Sequence, residues 1–345
     1  MRRLGMILCM CAALASCAPR GNDEYKSTLY VFGTLVEIIV RGADRAQAQA
    51  ATAQLSQEFQ HMYKDWHAWK PGELSNLNKA FAKGETKKVS PFVLPLIVQA
   101  KRYYTMSDGL FNPAIGALVG AWGFHADVNP KGKLPPMARI RALAARHPTM
   151  DDVIIKGDRV HSRNPAVQLD FGGFAKGVAM DRAEKVLAAY GIKNAIVNAG
   201  GDLNTVGQYG GRPWRIAIRD PKAWGEIATV DLKPGEDVYT SGNYERYRDS
   251  KGVRYGHIIN PRTGMPVRHI VSTTVIGYDG ALADATATAL TVAGPKGWYR
   301  IARRMGAHYV MLVDDTGTVY LNPAMKARVR FAKGLHPRIV QSAPL

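Results

Sequence analysis

The sequence predicts an α+β fold in which helices pack against layers of mixed β-sheet. Segments rich in Val, Ile, Thr and aromatic residues, which are typical of strands, recur along the chain. Helical segments separate some of them, but several strands between about 213 and 277 follow one another without a helix. A doubly wound parallel sheet needs strict alternation of strands and helices, so we expect a layered α+β domain instead.

The N-terminal residues are typical of a bacterial lipoprotein signal peptide. Two arginines precede an apolar stretch from Leu4 to Leu14, which is too short to span a bilayer permanently. The stretch ends in Leu14-Ala15-Ser16-Cys17, which resembles a lipobox. We therefore expect residues 1–16 to be removed, Cys17 to carry the lipid, and residues 17–27 to form a polar tether. The alternative is an ordinary secretory signal that contains a cysteine.

The cysteine content and the charge exclude several classes of function. All three cysteines, Cys9, Cys11 and Cys17, lie in the signal segment, so the folded part has no cysteine nucleophile, thiolate metal site or disulfide. The formal net charge of +18 suits an anionic ligand or an anionic membrane surface. Nucleic acid is not a predicted partner, because the chain has no zinc-finger spacing and no other recognisable nucleic-acid motif.

The N-terminal half contains a strand from Leu29 to Val40 and a helix from Asp44 to about Trp66. The helix is predicted because apolar residues recur at helical spacing, at Ala51, Leu55, Phe59 and Met62. A second helix is expected to start near Ser90 and Pro91 and to end at Asp108-Gly109. Residues 124–140 contain several breaks and mark a candidate insertion or subdomain boundary in a domain that otherwise spans 28–345.

The C-terminal half is predicted to contain helices of about 174–190, 280–292 and 295–305. The expected strands lie near 151–156, 194–198, 213–219, 226–231, 236–240, 271–277, 307–313 and 317–321.

The run from Leu169 to Gly177 joins a strand end to a helix through adjacent glycines, with Asp170 before them and Lys176 after them. Such a junction can hold an anion or a metal, because glycine allows close backbone approach and helix N-terminal amides favour negative charge. The alternative is a tight turn with no ligand. The spacing matches neither the GxGxxG nor the Walker A pattern, so the run alone leaves both interpretations open.

Two other positions carry side chains suited to chemistry. Asp284 and Thr288 are four residues apart on a predicted helix among small alanines, and a carboxylate with a hydroxyl suits Mg²⁺. His257 precedes a turn punctuated by proline and glycine, and a histidine there can act as a base near neutral pH. The alternative for Asp284 and Thr288 is an ordinary helix face without a ligand, and the alternative for His257 is a structural histidine.

These segments occur together in an order that resembles the FAD:protein FMN transferase family, the ApbE family of flavin transferases. The resemblance covers nearly the whole chain after the tether. It is carried by Phe32-Gly33-Thr34, residues 69–78, Ser107 to Pro113, Trp122-Gly123-Phe124, the run 169–177, Asn198 to Asp202, Thr240-Ser241-Gly242, His257 to Pro266, and Ala283 to Ala289.

The resemblance implies a T-fold-like domain that binds FAD and Mg²⁺ and moves FMN onto a threonine or serine hydroxyl of a target protein, releasing AMP. By motif, the implied metal ligands are Asp284, Thr288, the carbonyl of Gly173 and a backbone donor at Ala287. His257 is implied as the base on the attacking hydroxyl, or as the residue that orients that base. The implied FAD contacts are Phe32, Trp69, Leu110, Phe111, Asn112, Asp170, Lys176 and Ile259, with Asn78 at the adenine end.

The chain departs from the family pattern at Asn112 and Asn260, where aspartate is common. An amide keeps the shape but loses the charge, so a lower rate or metal affinity is one expectation. The chain has no Ser/Thr-Gly-Ala-Ser/Thr acceptor motif, so self-modification is not expected.

The expected acceptor is an exported redox protein, and the expected location is a lipid anchor facing the periplasm of a Gram-negative cell. Two alternatives stay open. The first is a Mg²⁺-dependent FAD pyrophosphatase that yields FMN and AMP. The second is a flavin-binding lipoprotein without catalysis.

Overall fold

The computed structural model describes residues 24–126 and 128–345. The expected signal peptide, Cys17 and the tether up to residue 23 lie outside the described residues. Within the described ranges, no helix is long and apolar enough to cross a membrane.

The strands of the described ranges are distributed along the whole chain. In order they are β1 (Glu24–Val31), β2 (Thr34–Arg41), β3 (Lys87–Lys88), β4 (Val153–Lys156), β5 (Arg159–Ser162), β6 (Ala195–Ala199), β7 (Asp202–Val206), β8 (Trp214–Arg219), β9 (Glu226–Leu232), β10 (Asp237–Gly242), β11 (Tyr247–Ser250), β12 (Val253–Gly256), β13 (Ile270–Gly277), β14 (Tyr309–Asp314), β15 (Val319–Leu321), β16 (Arg330–Phe331) and β17 (Ile339–Gln341).

The helices lie mostly between groups of strands. In order they are α1 (Arg45–Asp65), α2 (Glu73–Ala82), α3 (Leu94–Met106), α4 (Gly116–Trp122), α5 (Met137–Ala144), α6 (Ala175–Ala189), α7 (Gly280–Met305) and α8 (Pro323–Lys326). Helix α7 is kinked at Gly294, whose φ is 69°, just before Pro295.

The architecture is built on a nine-stranded sheet with the order β1-β2-β6-β7-β10-β13-β14-β15-β17. Its neighbouring strands are antiparallel, except that β15 and β17 are parallel. Smaller sheets have the orders β16-β9-β8, β3-β5-β4 and β11-β12. This mixture of sheets and helices confirms the predicted α+β class.

Apolar packing on both faces of the main sheet explains the layers. On one face α1, α6 and α7 pack over the sheet, with buried contacts from residues such as Ile38, Leu55 and Leu290. On the other face the β8–β9–β16 sheet covers β7, β10, β13, β14 and β15 through a second core that includes Ile216 and Val313. The site described below lies at the ends of the central strands of this sheet.

The strand predicted over Leu29–Val40 is in fact a hairpin. Phe32 and Gly33 form a two-residue turn between β1 and β2, with φ of 57° and 73°. Positive φ at both positions is the geometry of a tight hairpin turn, but Phe-Gly is not one of the dipeptides that announce it. The hairpin reaches back to Glu24, which pairs with Arg41 at 3.2 Å, so residues 24–27 belong to β1 and not to the tether.

Two other boundaries differ from the prediction. Helix α3 begins at Leu94, because Ser90 opens a preceding turn in which its carbonyl accepts hydrogen bonds from the amides of Val93 and Leu94. The predicted loop 124–140 ends inside α5, whose Ile140 packs with Trp122 and Phe124 in a small core of its own. The subdomain boundary proposed there stays a prediction.

Candidate functional site

A cavity of about 810 Å³ opens at the ends of the central strands β6, β7 and β10. Its walls come from the β1–β2 turn, the end of α1, the loop before α4, the start of α6 and the middle of α7. Most of the residues implied by the family resemblance meet here. The structure places in this lining Phe32, Trp69, Leu110, Phe111, Asn112, Asp170, Gly173, Lys176, His257, Ile259, Asp284 and Thr288.

Two of the implied residues lie outside the cavity lining. Asn78 is buried and bridges the backbone of Leu169, donating from Nδ2 to its carbonyl at 2.9 Å and accepting from its amide at 2.7 Å. Ala287 is fully buried in α7, and its carbonyl accepts a hydrogen bond from Thr291 Oγ1 at 2.8 Å. In the described structure neither residue lines the cavity, and both stabilise the backbone next to residues that do.

The close approach of α6 to α7 positions the polar centre of the cavity. Asp181 of α6 accepts hydrogen bonds from the first amides of α7, those of Gly280 at 2.8 Å and Ala281 at 3.1 Å. Gly177 lies directly against this N-terminus, and its amide donates to Asp284 Oδ2 at 3.3 Å. The sequence provides glycine at 177 because no side chain fits between the two helices.

Gly177→Ala is expected to destabilise the protein by about 1–3 kcal/mol, the usual cost of overpacking a rigid contact. The new Cβ would overlap the carbonyl of Gly280 and lie 2.7 Å from the Cα of Ala281. Thermal unfolding measures the effect. Gly297→Ala in α7 is the matched control, because its Cβ would meet only the side chain of Ala293, at 3.3 Å. Equal melting temperatures for the two variants would contradict the packing role.

Lys176 and Asp202 form an ion pair at the base of the cavity. Asp202 is 3% exposed, and its other oxygen accepts the amide of Thr240 at 3.0 Å. Burial opposes a charge on Lys176, but Asp202 and Asp284 raise the pKa of Lys176 above its usual value. The lysine is therefore held protonated, so it presents a fixed positive charge inside the cavity.

Asp284, Thr288 and Gly173 line the cavity close to this lysine. Thr288 Oγ1 lies 3.3 Å from Ser241 Oγ, and a Cβ built on Gly173 would lie 3.4 Å from Thr288 Oγ1. Burial, followed by the nearby Asp202, raises the pKa of Asp284 to about 8. Burial makes the ionised form of Asp284 unfavourable, so a bound cation would stabilise it as the carboxylate.

This donor set fits Mg²⁺ in its chemistry. One carboxylate with a hydroxyl and a carbonyl is hard-oxygen ligation, and Mg²⁺ commonly takes one or two protein carboxylates and completes its shell from phosphate or water. In the described part of the chain, no group of three or more His, Cys, Asp or Glu side chains has metal-binding geometry. A metal held here would therefore depend on Thr288 and the Gly173 backbone beside Asp284.

His257 lines the same cavity. Its Nδ1 lies 3.2 Å from the carbonyl of Arg246, and because a carbonyl only accepts hydrogen bonds, Nδ1 carries the proton and Nε2 the lone pair. Burial, with the nearby charge of Arg246, lowers the pKa of His257 to about 4. The imidazole is thus neutral at physiological pH and able to accept a proton at Nε2.

Aromatic side chains form the apolar part of the cavity. Phe32 packs edge-on against Phe59 and Tyr63, with ring centroids 5.5 Å and 6.1 Å away, so its ring is fixed despite the left-handed backbone. Trp69 lies 5.7 Å from the ring of His125 on another wall. Rigid aromatic walls of this kind suit a planar ring system.

The two asparagines that replace family aspartates have local roles. Asn112 donates from Nδ2 to the carbonyl of Pro148 at 2.9 Å and accepts the amide of Ala114 at 3.0 Å. A carboxylate could not make the first of these bonds, so the amide fits this loop. Asn260 accepts the amide of Arg262 at 2.9 Å within its turn, a bond that either residue type makes.

Several polar residues of the cavity were not predicted. Arg219, Glu245 and Arg246 line it, and Asp202 was noted only within a glycine-rich motif. Arg246 donates to the carbonyls of Phe124 and Ala126 at 3.0 Å and 2.6 Å, which holds the loop after α4 against the cavity. Isolated charged residues carry no local spacing signal, and only the fold brings them together.

Comparison with known proteins gives consistent results. A sequence model described as the ApbE family matches residues 32–312. The FAD:protein FMN transferase of Rhodobacter capsulatus is 48% identical over 314 residues, which cover 91% of this chain and 60% of the relative. The protein of the same name from Escherichia coli K12 is 31% identical over 248 residues, 69% of this chain and 70% of the relative. The chain thus spans about 60% of the length of the first relative.

Solved structures agree with the sequence comparisons. The ApbE protein of Thermotoga maritima superimposes with a TM-score of 0.81 at 30% identity, covering 89% of this chain and 99% of that one. The flavin transferase ApbE from Vibrio cholerae gives a TM-score of 0.78 at 26% identity, with coverage of 89% and 99%.

Proposed function

Because the chain belongs to the ApbE family, we propose that it transfers the FMN half of FAD to a threonine or serine hydroxyl of a target protein, with Mg²⁺, and releases AMP. The observation that supports this most is the convergence of Asp284, Thr288 and Gly173 beside Lys176, in a cavity with aromatic walls. A pyrophosphate between two nucleotide halves is the substrate group that this combination of charges and apolar surface suits.

In the proposed reaction the acceptor hydroxyl oxygen forms a bond to the FMN-side phosphorus, and the bond from that phosphorus to the bridging oxygen breaks. The bridging oxygen leaves with AMP, and the hydroxyl proton is taken up by a base. His257 would be that base, which its unprotonated Nε2 and the contact of Nδ1 with the Arg246 carbonyl support. The same geometry also suits a role in orienting the hydroxyl.

Negative charge develops on the bridging oxygen as AMP leaves, and the cavity offers a fixed positive charge to offset it. Lys176 supplies that charge, held in position by Asp202, so little reorganisation is needed during the reaction. A bound Mg²⁺ would supply further neutralisation of the phosphate oxygens and would be held by Asp284, Thr288 and the Gly173 carbonyl.

Product analysis tests this proposal. The protein is incubated with FAD and Mg²⁺, with and without a purified redox domain that carries the Ser/Thr-Gly-Ala-Ser/Thr motif, and nucleotides are separated by chromatography. We expect AMP in an amount equal to the labelled domain, and little free FMN. Equal amounts of FMN and AMP regardless of the domain would instead indicate a pyrophosphatase, and unchanged FAD would indicate a flavin-binding protein without catalysis.

We further propose that the protein is exported and anchored by lipid at Cys17, facing the periplasm, where an exported redox protein is its acceptor. The lipobox-like segment and the net charge of +18 support this location. Replacing Cys17 by serine is expected to move the protein from the membrane fraction to the soluble fraction of a Gram-negative host, as measured by fractionation and immunoblotting. Retention of Cys17→Ser in the membrane fraction would contradict the lipid anchor.

A further inference from the structure

Three exposed apolar side chains lie close in the chain to residues that line the cavity. Among the described residues, the exposed large hydrophobic side chains are Tyr30, Leu35, Val98, Val128, Trp224, Met265, Tyr278 and Val340. Tyr30 and Leu35 flank the β1–β2 turn, whose residues 32–34 line the cavity. Trp224 lies in the turn after β8, whose last residue, Arg219, lines it as well.

Tyr30 and Leu35 form one surface. They are directly opposed in the antiparallel register of β1 and β2, and they are 63% and 61% exposed. The alternate residues Val36 and Ile38 are buried under the helices, so this pair lies on the opposite face of the hairpin. The β8–β9–β16 sheet covers that face further along, over β7, β10, β13, β14 and β15, and within the described ranges no residue of β1 or β2 belongs to this second core.

Gly200, which lines the cavity next to this pair, is followed by a second glycine. Gly200 and Gly201, between β6 and β7, have φ of 69° and 102°, and a Cβ on Gly200 would lie 2.7 Å from Thr34 Oγ1. A Cβ on Gly201 would meet no atom within 4 Å. At Gly201 this edge offers open backbone, over which another chain can pass beside the Thr34 side chain.

Trp224 is a further exposed aromatic residue, in the small sheet that packs on the same face of the main sheet. It is 97% exposed in the β8–β9 turn. We call Tyr30, Leu35 and Trp224 the rim patch. Tryptophan and tyrosine are enriched among the residues that contribute most to binding between proteins.

We propose that the rim patch is the docking surface for the acceptor protein. This inference rests on the proposed function, because a protein acceptor must bring its hydroxyl into the cavity, whereas water needs no surface to do so. The occupant must therefore contact the edge of the cavity. The rim patch adjoins cavity-lining residues in the chain, at 32–34 between Tyr30 and Leu35 and at Arg219 before the turn that carries Trp224. The acceptor is expected to present an apolar surface next to its modified threonine or serine.

The test compares a rim-patch variant with a matched control in covalent labelling of the redox domain that carries the Ser/Thr-Gly-Ala-Ser/Thr motif. The rim variant is Tyr30→Ser with Leu35→Ser. The control is Tyr278→Ser with Val98→Ser, which removes similarly exposed side chains elsewhere. Tyr278 follows the end of β13 that pairs with Asp237, opposite the end at Gly242 that lines the cavity, and no residue of α3 around Val98 lines it.

The rim variant is expected to raise the KM for the domain by at least about tenfold, as loss of central interface contacts does. Its kcat and its affinity for FAD, measured by flavin fluorescence, should stay within about twofold of the control, since no cavity residue has changed. Trp224→Ser, in an exposed turn, provides a second variant with the same expected rise if the double variant does not fold.

A KM for the domain within about twofold of that of the control overturns the inference, while labelling itself still supports the proposed function. A change in oligomeric state on size-exclusion chromatography, without a change in KM, also overturns it, because a second copy of the chain would then occupy the patch. Absence of labelling by the unmodified protein overturns the proposed function first, and the docking surface with it.

Discussion

Asp284→Ala is expected to abolish FMN transfer while the fold stays intact. The carboxylate is the one charged donor among the three proposed metal ligands that line the cavity, so the variant should lose Mg²⁺-dependent activity by at least about 10³-fold, several kcal/mol of transition-state stabilisation. Labelling of the redox domain with FAD, at several Mg²⁺ concentrations, measures this loss.

The stability of the same variant separates loss of function from misfolding. Burial and Asp202 raise the pKa of Asp284, so its ionised form is unfavourable in the protein without metal. Removing the carboxyl should therefore leave the melting temperature unchanged or slightly higher. Asp284→Asn is the matched control for shape, since its amide oxygen still accepts the Gly177 amide, and it should be about as inactive. Full Mg²⁺-dependent activity in either variant would show that the ligand assignment is wrong.

His257→Ala is expected to lower kcat for transfer by about 10²–10⁴-fold, the range typical of a lost general base. The ring nitrogen Nε2 is the proton acceptor that the geometry offers to the attacking hydroxyl. His257→Gln is the informative control, because glutamine hydrogen-bonds a hydroxyl but does not take up its proton. Equal losses in both variants would indicate proton transfer, and near-normal activity of the glutamine variant would indicate an orienting role. Normal activity of His257→Ala would contradict both roles.

The pH dependence of the unmodified protein follows from the buried environment of His257. Burial lowers the pKa of His257 to about 4, and its base form therefore predominates at every pH well above that value. As kcat/KM reports the free enzyme, we expect His257 to cause no fall near pH 6.5 on acidification and to cause a fall only as the pH approaches 4. A midpoint near 6.5 that disappears in His257→Gln would show that the histidine is more solvated than the structure indicates.

Much of the fold could be predicted because local periodicity and burial agree. The α1 stripe of Leu55, Phe59 and Met62 is fully or almost fully buried, and the helix begins directly after Asp44, which caps it by accepting the amide of Ala46 at 2.9 Å. The β1–β2 hairpin was missed because the strand pattern continues on both sides of Phe32-Gly33 with no usual turn dipeptide between. Only pairing across the hairpin, such as Glu24 with Arg41, reveals it.

The site was predictable where sequence motifs mark it and not elsewhere. Asp170, Lys176, Asp284 and Thr288 belong to recognisable segments, and all of them line one cavity. The bond from Asn78 to Leu169 joins residues far apart in sequence, so its structural role could not be read from its motif.

Electrostatics depends on the fold for the same reason. The pKa of His257 falls because the folded chain buries the ring beside Arg246, and no property of the local sequence predicts that burial. The ion pair between Lys176 and Asp202 likewise forms only when β7 packs beside α6.

The most direct test of the account is the intact mass of the acceptor domain after incubation with this protein, FAD and Mg²⁺. We expect its mass to rise by that of FMN less one water, with covalent flavin fluorescence on a denaturing gel. Replacing the threonine or serine of its motif by alanine should remove both signals. An unchanged mass in the presence of active FAD cleavage, or a flavin that persists after that replacement, would contradict the proposed transfer.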